Sequence, residues 1–133
     1  MSRTTTQAIT ASTLTPIQLA TQNYNKWGMW NSGANTRITL PQGGVWLMQG
    51  QVSYAANGVG LRYLLLRADG ATYFFSDLRP AITVAGVVTV CFAANELIMT
   101  AGQYIELIAF HTSTTSPLNV EAAYMSASLQ VAN

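Results

Sequence analysis

Side chains capable of acid–base, nucleophilic or metal chemistry are few in this chain. His111 is the only histidine and Cys91 the only cysteine. A catalytic triad would need Ser113 or Thr114 beside His111, together with an orienting carboxylate. A zinc site would need three or four His, Cys or carboxylate ligands. A lone histidine at a strand end is more typical of a surface or capping group, so we expect no catalytic site and no metal site.

The carboxylates are also dispersed. A glycosidase needs two of them facing one cleft, and the sequence leaves a chance pairing open. Asp69 is explained by its Asp-Gly turn, and Asp77 with Arg79 by a local ion pair of small energetic value. Gly58 and Gly60 are not followed by a helix, so they do not form a phosphate-binding loop. We therefore expect a protein that is not an enzyme and binds no cofactor.

Charged residues make up only 8% of the 133 residues, whereas half of the residues are apolar. A folded monomer of this size exposes roughly 6,800 Å², so the charges would stand at about one per 600 Å². Thr, Ser, Asn and Gln could supply a soluble surface instead. The alternative, which we favour, is that much of the exterior is covered by copies of the chain or by another protein. The six basic residues form no stripe, which argues against nucleic acid as a partner.

The ends and the apolar runs bear on location. Residues 1–12 are rich in Thr, Ser, Ala and Gln and are predicted to form an extended N-terminal arm before a domain at 13–133. Their first residues lack the apolar core of a secretion signal. The uncharged stretch from Ala81 to Ala94 is too short to span a bilayer as a helix, so we expect a strand and no membrane insertion. A single cysteine fits assembly in a reducing cytoplasm.

Short β-rich segments follow one another, separated by turn residues, and none carries a convincing helical stripe. Nine strands are predicted, near Ile17–Thr21, Asn25–Trp30, Arg37–Leu40, Val45–Tyr54, Leu61–Ala68, Thr72–Phe75, Ile82–Ala93, Tyr104–His111 and Val120–Val131. This spacing predicts an all-β fold of two packed antiparallel sheets, a jelly-roll sandwich.

The longest strand separates two faces, because side chains alternate along a strand. One set carries the bulky rings and is expected in the core: Trp46, Met48, Gly50, Val52 and Tyr54. The other combines apolar side chains with uncharged amides, as a subunit contact does: Val45, Leu47, Gln49, Gln51 and Ser53.

The run Gly44–Val52 resembles a signature of the jelly roll shared by the globular head of complement's first component and the tumour necrosis factors. That signature is a glycine, a hydrophobic residue, an aromatic residue and alternating apolar residues. Similar matches lie at Thr36–Pro41, Leu64–Gly70 and Leu97–Leu107, and the likeness extends from Pro16 to Val131. The chain is most similar to the small versions found in bacteriophage virion proteins.

Two positions depart from this pattern. Gln103 stands where the family usually carries an aspartate, which removes support for a calcium-linked role there. Trp46 replaces the more usual tyrosine, which keeps the bulk but changes the hydrogen bonding.

The resemblance implies a threefold assembly built on the sheet that holds the Val45 strand and the last strand. Carried over to this sequence, it places Leu47, Gln49, Gln51 and Tyr124 against a neighbouring subunit. The alternation along the Val45 strand selects the same face independently.

Aromatic residues offer a second possible surface. Trp27 and Trp30 could stack on sugar rings, or they could seal one end of the sandwich. Tyr73 begins a run of three aromatic residues, so one face of that strand must expose or contact an aromatic ring.

Together these features predict a non-enzymatic bacteriophage structural protein, a homotrimeric capsid decoration or head-fibre subunit. Its partners would be itself and other virion proteins such as the major capsid protein, and it would be made in the host cytoplasm and located in the virion. The alternative is a receptor-binding or carbohydrate-binding tip module of a tail or fibre, which would bind cell-surface glycan through Trp27, Trp30 and Tyr73. A secreted cytokine-like ligand is disfavoured, because no secretion signal is recognised.

Overall fold

The computed structural model describes residues 1–132, except for the side chain of Phe75. One 3-10 turn covers Ser32–Ala34. The strands are β1 (Ser2–Arg3), β2 (Gln7–Ile9), β3 (Thr15–Pro16), β4 (Arg37–Thr39), β5 (Gly44–Tyr54), β6 (Leu61–Ala68), β7 (Thr72–Pro80), β8 (Thr89–Met99), β9 (Tyr104–His111) and β10 (Leu118–Ala132). No helix among the described residues is long and apolar enough to cross a membrane.

The strands form two antiparallel sheets. The first sheet has the order β1-β10-β5-β8, with β2 also paired to β10. The second has the order β3-β9-β6-β7, with β4 also paired to β9. Along the chain, β8, β9 and β10 fall alternately in the first and second sheets, so their connections cross between layers. The predicted all-β, two-sheet jelly roll is confirmed.

Alternation along β5 fills the space between the sheets. Trp46, Met48, Val52 and Tyr54 are fully buried, and Gly50 lies on the same face. On the second sheet, Leu64, Leu66, Ile105 and Leu107 are equally buried opposite them. Each such side chain contributes roughly 1.5–3 kcal/mol by leaving water. The core is therefore set by the parity of two long strands.

The start of β5 requires glycine for a steric reason. Gly44 has a φ of +152°, and a Cβ atom there would collide with the carbonyl oxygen of Val131 and lie 2.7 Å from Leu129 Cδ1. Any larger residue would push β5 away from β10 at the start of their pairing. The first position of the sequence signature is thus needed for the approach of two strands.

The first twelve residues lie against their own sheet. β1 pairs with Ala123 and Tyr124, and β2 pairs with Leu118 to Val120. Met1 and Ile9 are buried in the core, and the Arg3 guanidinium donates to the carbonyls of Thr5, Thr6 and Gln18. The segment predicted as an arm is therefore extended, but it packs with residues 13–132 as part of one sandwich.

Four predicted strands differ from the structure, and one of them, predicted at Thr72–Phe75, continues to Pro80 as β7. Asn25–Trp30 is a loop with a turn at Gly28, whose φ is +63°, so that strand prediction was wrong. Ile17–Thr21 lies outside the strands, although Ile17 and Leu19 are buried. The strand predicted at Ile82–Ala93 begins only at Thr89, because the chain reverses at Gly86 and Val87 N–H donates to the Val84 carbonyl.

A tyrosine hydroxyl joins the two sheets inside the core. Tyr54 on β5 donates to the Tyr63 carbonyl at 2.6 Å and accepts the Phe110 N–H at 3.1 Å. Tyr63 and Phe110 are paired neighbours on β6 and β9, so a side chain from the first sheet enters the ladder of the second. Burial, followed by the nearby Cys91 thiol, raises the pKa of the Tyr54 phenol. The hydroxyl therefore stays protonated as a donor.

We expect Tyr54→Phe to lower the free energy of unfolding by about 1–2 kcal/mol, because Phe110 N–H and the Tyr63 carbonyl lose their buried partner. Urea titration at fixed protein concentration measures this loss. Tyr63→Phe is the matched control, since no hydrogen bond of the Tyr63 hydroxyl occurs within residues 1–132, and it should leave stability nearly unchanged. Equal losses in the two variants would contradict the bridging role.

Cys91 is a buried core residue. Burial, followed by Asp77, raises the pKa of its thiol to about 12. Because a raised folded-state pKa favours the neutral thiol, its contribution to stability is complete below an ordinary thiol pKa. That contribution is lost as the pH rises towards 12.

We therefore expect Cys91 in the native protein to react with a thiol reagent at pH 8 roughly a thousandfold more slowly than after denaturation, from its lower thiolate fraction and its burial. Absorbance of the released chromophore follows both reactions. A native rate within about tenfold of the denatured rate would contradict a buried, protonated thiol.

Candidate subunit interface and adjoining groove

The four residues predicted at a subunit interface lie together on one surface. Across β5 and β10, Leu47 is opposite Ser128, Gln49 is opposite Ser126, and Gln51 is opposite Tyr124. Across β5 and β8, the same three residues are opposite Glu96, Ala94 and Phe92. Paired residues of antiparallel strands point to the same side, so these side chains form one surface, which we call the outer face of the first sheet.

This outer face carries few charges, and the Arg79 guanidinium lies 5.7 Å from the centre of the Phe92 ring at its β8 edge. Glu96 is the only charged side chain among the paired residues of β5, β8 and β10 that the register places there. Large apolar or aromatic side chains are nevertheless exposed: Phe92 at 52%, Ile98 at 79% and Tyr124 at 43%. Amides and hydroxyls from Gln49, Gln51 and Ser126 lie between them. Apolar area mixed with uncharged hydrogen-bonding groups is the composition of a protein interface.

The burial of two charged residues further reduces the number of charged side chains at the surface. Of the eleven charged side chains, Arg62 and Glu106 are buried, which leaves nine for the surface. Arg62 donates to the carbonyls of Val59, Leu61 and Asn57, and its Nε has no partner in residues 1–132. Burial lowers the pKa of its guanidinium, with no effect on its charge at neutral pH. Arg62 thus holds the loop before β6 and adds nothing to the exterior.

The opposite sheet presents a different surface. Arg67 and Glu106 form an ion pair at 2.6 Å, and Thr36 donates to the other Glu106 oxygen at 3.0 Å. Tyr73, 41% exposed, has its hydroxyl 3.2 Å from Arg67 Nη1. Tyr73 therefore belongs to a charged cluster on the second sheet and does not share a surface with Trp27.

A groove of about 350 Å³ lies beside β10. The loop from Asn23 to Trp27 forms one wall, and Ser126 to Leu129 of β10 form the other. Met29 and Ile38 also line the groove. Its walls are mostly apolar, and Lys26 is the only charged side chain in the lining.

The two tryptophans of the loop differ in their surroundings. Trp27 lines the groove at 44% exposure, with its ring edge-on to Trp46 at 5.9 Å and Lys26 Nζ 5.4 Å from its centroid. Trp30 is partly buried, packs against the core and has a buried Nε1 without a partner in residues 1–132. Trp30 thus helps to seal the sandwich, whereas Trp27 is available to a ligand.

The candidate catalytic residues are engaged in structural contacts. His111 is buried, its Nε2 lies 2.8 Å from the Ile9 carbonyl, and its Nδ1 accepts the Ser113 N–H at 3.2 Å. This pair of contacts fits the tautomer with hydrogen on Nε2. The Ser113 hydroxyl donates to Asn57 rather than to His111. Within residues 1–132, no group of three or more His, Cys, Asp or Glu side chains could hold a metal ion.

Phe92, Ile98 and Tyr24 are surface residues that the sequence did not single out. Alternation around the buried Cys91 already places Phe92 on the outer face, and Ile98 would have followed had the predicted strand been extended from Ala93 to Met99. Tyr24, 74% exposed, lies in a loop directly before the residues that were predicted as a strand. Only a tertiary arrangement brings it beside β10.

No family model matches this chain, and no curated protein matches it. Among solved structures, it is similar to the globular domain of zebrafish complement 1qA protein. The TM-score is 0.69 at 15% identity, over 96% of this chain and 93% of that chain. The chain has a jelly roll of the complement and tumour necrosis factor type. A second similar structure is Eiger TNF from S. frugiperda, with a TM-score of 0.55 and 12% identity over 96% of this chain and 85% of that one. At such low identity these likenesses show the fold alone.

We expect the two tryptophans to separate in their effect on stability. Trp30→Ala should lower the free energy of unfolding by about 2–4 kcal/mol, because it opens a cavity against the core. Trp27→Ala should lower it by about 1 kcal/mol, mainly through the lost contact with Trp46. Urea titration of both variants measures the difference, and an equal or greater loss for Trp27→Ala would contradict these assignments.

Proposed function

We propose that this protein is a non-enzymatic, homotrimeric structural component of a bacteriophage virion, either a capsid decoration or a head-fibre subunit. The observation that carries the proposal is the outer face of the first sheet, where Phe92, Ile98 and Tyr124 are exposed and Glu96 is the only charged side chain among the paired residues. Monomeric proteins rarely leave a large contiguous apolar surface in water. A cover of like subunits removes that surface from water.

Hydrogen bonding supports a protein cover for this face. Gln49, Gln51 and Ser126 can donate and accept across a contact without bringing a buried charge into it. The threefold arrangement comes from the family that the sequence resembles, in which this sheet forms the subunit contact. Closed symmetry also hides the same patch on every copy.

A structural role in a virion fits the remaining features. The side chains that could suggest chemistry, His111 and Ser113, are held in packing and loop contacts. The expected partners are copies of the chain and other virion proteins such as the major capsid protein. We place the protein in the virion after synthesis in the host cytoplasm.

The carbohydrate-binding alternative has a narrower basis. Of its three candidate residues, Trp30 packs against the core and Tyr73 lies in the charged cluster of the other sheet. Trp27 alone is presented at the groove. We therefore favour the structural role.

We expect the purified protein to sediment at about 43 kDa, three times its chain mass of 14.3 kDa. Gln49→Arg should shift it to monomer, because three like charges would be desolvated on facing copies. Thr72→Arg introduces the same charge at an exposed position of β7 and should leave the trimer intact. Sedimentation equilibrium over a range of concentrations measures the mass. A monomeric wild-type protein at high concentration would overturn the trimer.

The virion role needs a separate test. We expect mass spectrometry to find the intact chain in purified particles of the phage that encodes it, and Gln49→Arg to reduce its copy number in those particles. Deleting residues 2–12 would be a poor test, because Ile9 leaves the core. Particles that lack the chain would overturn the virion role even if the trimer were found.

A further inference from the structure

The last strand has an open hydrogen-bonding edge. On one side, β10 pairs with β5 along nearly its whole length. On the other, pairing runs through β2 and β1 and ends where Met125 N–H donates to the Met1 carbonyl at 3.0 Å. No strand of the described chain pairs with residues 126–132 on that side. Since Met125 points its backbone groups there, the alternation of the ladder directs those of Ala127 and Leu129 the same way.

This edge lacks several devices that usually protect an edge strand. Residues 126–132 read Ser-Ala-Ser-Leu-Gln-Val-Ala and contain no charge and no proline. A bulge between Leu129 and Val131 is the only irregularity in their pairing with β5. By contrast, at the opposite edge of the same sheet the Phe92 N–H donates to Asp77 Oδ2 at 3.0 Å. One edge of the sheet is capped, and the other is left free.

The groove runs along this free edge. Ser126 to Leu129 form one wall, and the Asn23–Trp27 loop stands opposite at a distance that leaves about 350 Å³ between them. Met29, Ile38 and the partly buried Leu129 offer apolar contacts in the groove. An extended chain presents backbone hydrogen bonds on its two edges and side chains on its two faces. The free edge can pair with the backbone of such a chain, and the apolar walls can contact its side chains.

We propose that residues 126–129 accept an extended peptide segment of a partner protein as an added strand, in line with β1. Its backbone pairs with Ala127 and Leu129, and alternate apolar side chains pack against Met29, Ile38 and Trp27. An acidic side chain of the peptide reaches Lys26, the only charged side chain of the lining. Strand addition of this kind obtains affinity from backbone hydrogen bonds and specificity from side-chain pockets.

Two other occupants fit less well. A sugar ring stacked on Trp27 would displace the Lys26 ammonium and would leave the edge groups of Ala127 and Leu129 without regular partners. A second copy of this chain is accounted for on the outer face, which shares Tyr124, Ser126 and Ser128 with the groove but not its loop wall. The edge backbone of Ala127 and Leu129 and the loop wall thus lie outside the face proposed for the trimer, and a failure of strand addition would leave the oligomeric mass unchanged.

The probe is a displayed library of random heptapeptides, selected on the intact wild-type protein. We expect enriched peptides to alternate apolar and polar residues and to include an acidic residue. Ala127→Pro removes an edge N–H and fills the edge with a ring, so it should abolish binding, as should Trp27→Ala. Thr72→Arg, on the distant β7, is the matched control and should bind normally. Thermal unfolding verifies that each variant folds.

Backbone methylation of a selected peptide gives a readout that leaves the protein unaltered. N-methylation at every second residue should weaken binding at least about tenfold, because those N–H groups face β10, while methylation at the intervening residues should have little effect. This pattern holds as a test even if Ala127→Pro fails to fold. Isothermal titration calorimetry with synthetic peptides measures the affinities.

Four outcomes would overturn strand addition at this site. The library could yield no peptide that prefers the wild type over Trp27→Ala. The methylation pattern could fail to alternate. Ala127→Pro could fold but shift the oligomeric mass, which would assign the edge to a second copy. An oligosaccharide could bind in a Trp27-dependent manner while no peptide is enriched, which would assign the groove to carbohydrate.

Discussion

The alternation of side chains along β5 is the constraint on which the rest of the structure depends. Once Trp46, Met48, Val52 and Tyr54 are buried, pleat geometry fixes the opposite set on the outside, whatever their chemistry. A shift of one residue in register would expose two aromatic rings and bury two amides. The pairing register of β5 therefore determines both which side chains fill the core and which side chains form the outer face.

The few charged side chains of this protein are unevenly distributed over the structure. The buried Arg62 hydrogen-bonds to the loop before β6, and the buried Glu106 pairs with Arg67 on the second sheet. Arg79 pairs with Asp77, whose carboxylate also caps the β8 edge. Most charged side chains thus lie in loops, at sheet edges and on the second sheet, while Glu96 is the only one among the paired residues of the outer face. The second sheet therefore presents a charged surface suited to water, and the outer face of the first sheet presents a surface suited to contact with protein.

Long alternating segments could be predicted from the sequence, and irregular ones could not. The predicted bounds of the strands Leu61–Ala68 and Tyr104–His111 agree with the structure, because turn residues flank each segment. Residues 25–30 and 82–88 carry β-favouring side chains but find no ladder partner, so local preference was overruled by tertiary context. The surface shared by Leu47, Gln49 and Gln51 followed from parity alone. The groove did not, because it joins a loop to a strand about a hundred residues later.

β10 contributes to the core, to the outer face and to the groove, because its side chains point to two faces and its backbone forms a free edge. Its side chains alternate between the core at Met125 and the outer face at Tyr124, and one edge is saturated by β5. The remaining edge is covered only as far as Met125. If subunits cover the outer face, the backbone of residues 126–132 is still left with unpaired donors and acceptors pointing sideways. Assembly through the face therefore leaves this edge open to the added strand that we propose.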